Sequence, residues 1–283
     1  MIVPFTKMEG LGNDFIFVDQ TSRQAAINVS YNDLAVRWCD RKFGIGADGL
    51  IVISDSSTCD LKFNIYNSDG SEAQMCGNGM RCFGKYAHLK KLTTKTAFTV
   101  ETLAGVITPQ IITDENGMII SVRVDMGEPV ISAPLVPFIS KNETAVSETI
   151  ETDGHSVAIT AVSMGNPHAV IFVPNADEAP VTTLGPIIET CSLFPEKTNV
   201  EFIEVISDAE LKMKVWERGA GVTLACGTGA CASVVAAILN GKTKNRVTIH
   251  LDGGPLDIEW NRENNHIYKT GPATLVFEGT IAI

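Results

Sequence analysis

Two short runs in this sequence place a cysteine and glycines at the start of a helical pattern. Cys226-Gly227-Thr228-Gly229 precedes the apolar run 230–239, and Cys76-Gly77-Asn78-Gly79 precedes a second segment of helical spacing. The two cysteines are 150 positions apart, and the alternating residues 61–66 lie over residues 211–216 at the same offset. The order strand, turn, cysteine, glycines, helix therefore occurs twice. It predicts two like units that each contribute a cysteine to one site.

A cysteine at the N-terminus of a helix is suited to acid–base chemistry. Free backbone N–H groups and the positive end of the helix dipole stabilise a thiolate, so we expect the pKa of each thiol to be lowered. The same N–H groups bind a carboxylate or an oxyanion, and glycine lets the ligand approach closely. One such run is more often a packed cysteine than a catalytic one. Two runs in register favour a function.

Two equivalent thiols fit the inversion of a carbon centre. A nucleophilic cysteine needs one base and one oxyanion hole, with no reason for duplication. Inversion needs one group to remove a proton from one face and another to return a proton to the opposite face. The enolate-like carboxylate that develops needs electrostatic stabilisation, and a single donor is commonly worth about 3 to 4 kcal/mol. This scheme uses neither metal nor pyridoxal, and the sequence has no Cys-x2-Cys spacing of a structural zinc site.

Hydrophobic periodicity predicts many strands and few helices. Alternation of the kind seen at 61–66 indicates half-buried strands, and Asn32 is a candidate N-cap for a helix that follows it. The helix predicted at 229–239 is apolar nearly all round, so a sheet must cover it on all sides. Residues 131–155 carry no strong signal, and we place a boundary between units near 125–129. The pattern favours a mixed α/β duplicate over a doubly wound parallel sheet.

Length, charge and cysteine usage restrict the class of protein. A chain of 283 residues with 45% hydrophobic residues is long enough for two cores. The net charge of −11 disfavours nucleic acid or an anionic membrane as a partner. Residues 1–10 lack the apolar core of a signal peptide, and no stretch reaches the length of a membrane span. Seven cysteines, an odd number in a chain of this size, favour a reduced, cytoplasmic protein.

Several further runs resemble those of one family, diaminopimelate epimerase, and they occur in that family's order along essentially the whole chain. The resemblance rests on KMEGLGNDF at 7–15, NSDGSE at 67–72, CGNGMRC at 76–82, MGNPH at 164–168, Asn199, ERG at 217–219 and ACGTG at 225–229.

The resemblance implies a role for each of these site residues. Cys76 and Cys226 would be the thiolate and thiol pair, and His168 and Glu217 would manage protonation beside the cysteines. The residues implied to bind substrate, either at the reacting carboxylate or at the ammonium and distal carboxylate, are Asn13, Asn67, Gly77, Asn78, Asn166, Asn199, Glu217, Arg218, Gly227 and Thr228.

The resemblance also implies a fold and a reaction. The fold would be two pseudo-symmetric domains, 1–125 plus 272–283 and 126–271, each a barrel-like, mostly antiparallel sheet around a central helix. The reaction would interconvert LL- and meso-2,6-diaminopimelate, without a cofactor, in lysine and peptidoglycan biosynthesis. The family's enzymes are commonly homodimers that close on substrate.

Other functions stay open at this point. The chain has Gly49 where some family members have glutamine, and Val222 where glutamate is frequent, so a related epimerase acting on lanthionine, histidine or proline is an alternative. Cys76 and Cys226 could also be the redox couple of a thiol-disulfide oxidoreductase. A non-catalytic amino-acid-binding protein of this fold is a third hypothesis. Cys82 and Cys231, inside the two predicted helices, fit small core residues.

Overall fold

The computed structural model describes residues 1–22, 24 and 27–283, and it divides into two compact units. Unit 1 is Met1–Asp125 with Gly271–Ile283, and unit 2 is Met126–Thr270. Both units are rich in sheet, and the described residues form only four α-helices. The predicted mixed α/β fold class is therefore confirmed.

The elements follow one another with short connections. In chain order up to residue 125 they are β1 Ile2–Gly10, β2 Asn13–Asp19, α1 Tyr31–Cys39, β3 Gly49–Ser54, β4 Leu61–Asn67, β5 Glu72–Ala73, α2 Gly77–Leu89, β6 Val100–Thr102, β7 Gly105–Ile107, β8 Gln110–Thr113 and β9 Ile119–Asp125. The remainder are a 3-10 turn Ala133–Leu135, β10 Glu148–Thr152, β11 His155–Ser163, β12 Pro167–Phe172, α3 Val181–Glu189, β13 Asn199–Ser207, β14 Glu210–Glu217, β15 Gly221–Val222, α4 Gly227–Leu239, β16 Arg246–Leu251, β17 Gly254–Trp260, β18 Ile267–Gly271 and β19 Thr274–Ala282.

Unit 1 has a sheet in the order β19-β1-β2-β3-β4-β6-β7, with β5 paired to β4. From β1 to β7 the pairs alternate antiparallel, parallel, antiparallel, parallel, antiparallel. Helix α2 packs against β1, β2 and the β8–β9 hairpin. Its Met80, Phe83 and Ala87 are fully buried, so the apolar face predicted from their spacing is confirmed.

Unit 2 repeats this arrangement. Its strands run β10-β11-β12-β13-β14-β16-β17-β18, with β15 paired to β14. From β11 to β17 the pairs again alternate antiparallel, parallel, antiparallel, parallel, antiparallel. Helix α4 packs against β11, β12, β13, β14, β16 and β17, and every residue from 229 to 237 is buried. The prediction that strands cover this helix on all sides is confirmed.

One local prediction is wrong, and one segment is structured although its sequence carries no strong signal. Asn32 is not an N-cap, because α1 begins at Tyr31 and the Ser30 hydroxyl accepts the Asp33 N–H. The Asn32 amide donates instead to the Gly70 carbonyl at 2.7 Å. Residues 131–155, without a strong signal in sequence, contain β10 and a 3-10 turn.

Helix α3 is not predicted from the sequence because it contains Gly185 and Pro186, which have low helix propensity. It forms because it packs on the sheet of unit 2, where a Cβ at Gly185 would lie only 2.7 Å from Cβ of Trp216.

Candidate active site

Both motif cysteines are helix N-caps. Helices α2 and α4 each begin one residue after the cysteine and are 13 residues long. The Cys76 sulfur accepts the Gly79 N–H at 3.4 Å, and the Cys226 sulfur accepts the Gly229 N–H at 3.3 Å. The prediction that each cysteine opens a helix is confirmed. The sulfur occupies the place in which serine or threonine commonly satisfies a free N–H of the first turn.

In unit 1 two amide side chains lie beside the half-buried Cys76. The Asn13 Oδ1 atom is 3.8 Å from the Cys76 sulfur and accepts a hydrogen bond of 3.3 Å from Asn78 Nδ2. The buried Arg81 guanidinium donates to the Asn78 Oδ1 atom at 2.8 Å and so fixes this amide in one orientation. Three of the predicted site residues, Cys76, Asn13 and Asn78, therefore lie together.

A cluster of charged side chains holds the Asn13 amide in place. Asn13 Nδ2 donates to Asp48 at 2.7 Å, and Arg41 binds both Asp48 and Asp14. The Lys7 ammonium is 2.7 Å from Asp14. Burial alone would raise the pKa of Asp14, but its hydrogen bonds to Arg41 and Lys7, with their charges, lower it to about 2. The Asp14 carboxyl is therefore ionised at neutral pH and holds the start of β2 in place.

Asn67 lies at the end of β4, and its amide donates to the Ser71 hydroxyl at 3.0 Å. No contact described for this chain joins it to Cys76. Gly49 is its partner in the β3–β4 register. A Cβ at position 49 would lie 2.9 Å from the Tyr66 carbonyl oxygen, so a side chain here requires the backbone to shift.

In unit 2 the buried Cys226 lies among polar side chains. Thr228 Oγ1 is 3.6 Å from the Cys226 sulfur. The carboxyl of Glu217, the last residue of β14, interacts with Cys226 and accepts a short hydrogen bond from the Thr223 hydroxyl. Burial raises the pKa of Glu217, and these two hydrogen bonds oppose the shift.

The pKa of Cys226 is not lowered as the sequence predicts. Burial, followed by the negative charges of Glu217 and Glu201, raises it well above its ordinary value. Hydrogen bonds from Thr228 and the Gly229 N–H act in the opposite direction but do not outweigh burial. The prediction from helix geometry is wrong here because it omitted the loss of water and the carboxyl groups nearby. Cys226 is therefore a neutral thiol in this arrangement.

His168 lies in the interior of unit 2 and has two hydrogen-bonding partners. Its Nδ1 atom is 2.6 Å from Glu201 Oε1, and its Nε2 atom is 3.1 Å from Asn166 Oδ1. The side chains of His168 and Glu201 are both 0% exposed. Glu201 was not among the site residues predicted from the sequence. The offset of 150 could have revealed it, because it sets Glu201 against the apolar Ile51 of the other repeat.

Two further predicted residues of unit 2 lie next to each other: Asn199 is the first residue of β13, and Arg218 follows the last residue of β14. The buried Asn199 amide donates to the Pro167 carbonyl at 2.9 Å and accepts the Arg218 N–H at 3.0 Å. The buried Glu189 carboxylate accepts from Trp216 Nε1 and from the Gly219 N–H. These bonds fix the turn that carries Glu217 and Arg218.

Three further findings concern the described residues alone. No group of three His, Cys, Asp or Glu side chains among them could hold a metal ion. No helix in this part of the chain is long and apolar enough to cross a membrane. All seven cysteines lie within it and none forms a disulfide, and Cys82 and Cys231 are fully buried, as predicted for core residues.

The fold of this chain is similar to the folds of several solved structures. A crystal structure of a Bacillus anthracis phenazine biosynthesis protein of the PhzF family is similar with a TM-score of 0.72, at 18% identity and with 100% of both chains covered. A probable proline racemase from Agrobacterium radiobacter is similar with a TM-score of 0.70, at 13% identity, with 99% of this chain and 93% of that chain covered. At these identities the similarity concerns the fold alone.

The sequence defines the family. The diaminopimelate epimerase family model matches residues 5–132 and 160–276. A diaminopimelate epimerase from Desulforapulum autotrophicum is 53% identical over 283 residues, with 100% of each chain covered. Those from Heliobacterium modesticaldum and Methanococcus maripaludis are 51% and 50% identical over 279 residues, with 99% of each chain covered. The chain belongs to the diaminopimelate epimerase family, so the resemblance found in its motifs is confirmed.

Proposed function

We propose that this chain interconverts LL- and meso-2,6-diaminopimelate by moving a proton off and onto one α-carbon. Membership of the family makes the chain an isomerase, and relatives that share half of its residues bear the name of this activity. The proposed mechanism rests on a local structure that occurs in both units. In each unit a cysteine sulfur caps a helix and accepts the backbone N–H three residues further on.

The reaction that we propose uses Cys76 and Cys226 as base and acid. One sulfur, as the thiolate, takes the α-hydrogen as a proton and becomes a thiol. The other sulfur, as a thiol, gives a proton to the opposite face of the carbanion and becomes a thiolate. The α-carbon is inverted, no electrons are gained or lost, and the two sulfurs end with their protonation states exchanged. The next substrate of opposite configuration restores them.

The environment of Cys226 supports a starting state. Burial and nearby carboxyl groups raise the pKa of this thiol, so we propose that Cys226 starts as the proton donor. Cys76 is half-buried, with amides rather than carboxyl groups within hydrogen-bonding reach. We therefore assign the first proton removal to Cys76. His168 and Glu217 are proposed to manage the proton on Cys226.

The N-termini of α2 and α4 offer the electrostatic stabilisation that the carbanion needs. The cysteine sulfurs accept the N–H groups of Gly79 and Gly229, which leaves the N–H groups of residues 77–78 and 227–228 to bind an oxyanion, and Gly77 and Gly227 leave room for its approach. We propose that the reacting carboxylate lies against these turns, with Asn78 and Thr228. Asn13, Asn67, Asn166, Asn199, Glu217 and Arg218 are proposed to bind the rest of the substrate.

Solvent-isotope incorporation tests this function. We expect the enzyme to convert LL-diaminopimelate to the meso isomer in D2O and to place deuterium at the inverted α-carbon. Cys76→Ala and Cys226→Ala should each abolish inversion, because one acid or base is then missing. Cys59→Ser is the matched control, since Cys59 lies outside both helix caps and should leave the rate unchanged.

Two results would contradict the proposal. Turnover of lanthionine, histidine or proline with no turnover of diaminopimelate would assign the chain a different substrate. Disulfide exchange that depends on Cys76 and Cys226, without any deuterium in the amino acid, would indicate an oxidoreductase.

We further propose a cytoplasmic homodimer in which residues 1–125 with 272–283 and residues 126–271 form the two domains. Family resemblance supports the homodimer and the two domains, and seven cysteines that form no disulfide support the cytoplasm. Sedimentation equilibrium at micromolar concentration checks the assembly, and a monomer mass would overturn the dimer.

A further inference from the structure

The two repeats differ in the groups that surround their capping cysteines. The register of β2 on β3 pairs Phe15 with Gly49, and that of β12 on β13 pairs His168 with Asn199. The offset of 150 takes Gly49 to Asn199, so Phe15 holds the place of His168. The same offset takes Ile51 to Glu201 and Asn67 to Glu217. At these three places, titratable side chains (His168, Glu201 and Glu217) therefore occur in only one of the two copies.

Ile51 packs against helix α2 and Glu201 packs against helix α4, at equivalent positions of the two helices. A Cβ added at Gly79 would lie 3.0 Å from Ile51 Cδ1, and one added at Gly229 would lie 2.5 Å from Glu201 Oε1. Both side chains thus point at the third residue of the helix that the cysteine caps. The first copy shows that an apolar side chain fills this position well.

A buried carboxyl in place of an apolar side chain needs a reason, because burial of an unpaired charge is strongly unfavourable. Among the described residues, the Glu201 carboxyl has one hydrogen-bonding partner: Oε1 is 2.6 Å from His168 Nδ1, which donates to it, and Oε2 has no partner. The charge of Glu201 raises the pKa of Cys226, but no hydrogen bond found among the described residues joins the two side chains. The geometry of Glu201 is directed at the histidine ring.

We propose that Glu201 is a positioning residue: its carboxylate accepts the Nδ1–H of His168 and so holds the ring with Nε2 within hydrogen-bonding distance of Asn166. A carboxylate that accepts from one ring nitrogen fixes the orientation of a histidine. Nε2 then faces the turn 165–167, where Asn166 is proposed to meet the substrate. The assignment rests on the proposed function for its kinetic consequence, but the site of the proton can be observed without turnover.

The variant Glu201→Gln tests this assignment because it keeps the shape of the side chain and removes its charge. In 15N-histidine-labelled protein we expect the wild type to show an Nδ1–H resonance of His168 that is far downfield and protected from exchange. Glu201→Gln should move this resonance upfield or abolish it. It should also lower kcat by about tenfold to a hundredfold, the usual effect of removing a group that orients a functional histidine. KM should stay within about twofold, because Glu201 does not reach the ligand.

The chain offers a matched control in a second histidine–glutamate pair of the same unit. His250 Nε2 is 2.6 Å from Glu210 Oε1, the same separation, but both side chains are about two-fifths exposed. Glu210 lies seven residues before Glu217 on β14, about 23 Å away along the strand. Glu210→Gln should change neither the His168 resonance nor kcat.

Each failure has its own meaning. An unchanged Nδ1–H resonance in Glu201→Gln, or a kcat within twofold of the wild type, would overturn the role of Glu201. A wild type that does not turn over diaminopimelate would overturn the proposed function, and the resonance would still decide whether Glu201 accepts the Nδ1–H.

Discussion

Gly79 and Gly229 hold equivalent places, three residues after the capping cysteines, but they face different neighbours. Gly79 faces the methyl end of Ile51, which can shift by a few tenths of an ångström. Gly229 faces Glu201 Oε1, which the hydrogen bond to His168 holds in place. A Cβ added at Gly229 would also lie 3.1 Å from the Cys226 sulfur. The same substitution should therefore have different effects in the two repeats.

Gly229→Ala should destabilise the protein by about 1 to 3 kcal/mol, the usual effect of overpacking, and should lower kcat because it displaces Glu201. Gly79→Ala is the control and should change the free energy of unfolding by less than about 1 kcal/mol, because alanine also favours a helix over glycine. Urea unfolding at pH 7 and initial rates measure both effects. Equal losses in the two variants would show that the neighbour at Gly229 is as yielding as Ile51.

At the scale of single residues, the sequence predicts the cysteine pair correctly but not the pKa of Cys226 or the groups around it. Cys76 and Cys226 were identified because an offset of 150 residues repeats in the letters themselves. The direction of the Cys226 pKa shift was wrong, because burial and the approach of Glu201 and Glu217 depend on the fold. Glu201 was missed for the same reason, since its partner His168 is 33 residues away in the chain.

At the scale of elements, ion pairs of the charged cluster around Asn13 join β1, β2 and the segment before β3 in unit 1. Lys7 lies on β1 and Asp14 on β2, while Asp48 precedes β3 and Arg41 follows α1. Asp14 is 16% exposed at its side chain, so water screens its contacts only weakly. The cluster places the Asn13 amide beside Cys76.

Asp14→Asn should destabilise the protein by about 2 kcal/mol at pH 7, since a shift of one pKa unit corresponds to about 1.4 kcal/mol. The folded-state pKa of Asp14, about 2, lies below the ordinary value of 3.8 for an aspartate. The contribution of Asp14 is therefore complete above about pH 4 and is lost as the pH falls through about 2. Chemical unfolding of both proteins at pH 7, 4 and 3 should show the difference shrinking toward acid.

Asp177 provides the control for this prediction. Hydrogen bonds from Lys212 and Lys214 lower the pKa of its carboxyl, but the side chain is 55% exposed. Asp177→Asn should have a smaller effect than Asp14→Asn at every pH. A larger effect would show that exposure does not govern the strength of these pairs.

The elements that the sequence failed to predict share a cause. Ser30 rather than Asn32 caps α1, because the Asn32 amide is taken by the Gly70 carbonyl, 38 residues away in the chain. Helix α3 forms around Gly185 and Pro186 because packing on Trp216 outweighs their low propensity. Strands with clear alternation, such as β4 and β14, were predicted within a residue or two. Long-range contacts decide the rest.

In the whole chain, unit 1 is built from two separated segments. Strand β19 pairs with β1 along most of its length. The buried Arg81 donates to the Pro272 carbonyl at 3.1 Å, and Lys85 donates to the Ala273 carbonyl at 2.7 Å. The last segment therefore supports both the first strand and the helix that Cys76 caps.

A chain that ends at Thr270 should lose order in unit 1 first. We expect amide hydrogen exchange in β1 and α2 to become at least about tenfold faster, because strand pairing and helix contacts are both removed. Exchange in β12 and β13 should change less. Deletion of Ala282 and Ile283 alone is the control and should have a much smaller effect, because it removes only the last pairs of β19 with β1 and leaves the contacts of Arg81 and Lys85. Uniform acceleration across both units would show that they unfold together rather than separately.

The matching alternation of parallel and antiparallel strands in the two units has a genetic consequence. A duplicated gene segment starts as two identical copies, and each copy is free to drift wherever the other supplies the same need. Here both copies have the capping cysteine and the glycines after it, but the places of His168, Glu201 and Glu217 around Cys226 are held by Phe15, Ile51 and Asn67 in the copy that contains Cys76. The halves are no longer interchangeable. A gene rebuilt from two copies of the first half would encode the thiols without the acid–base groups that serve them.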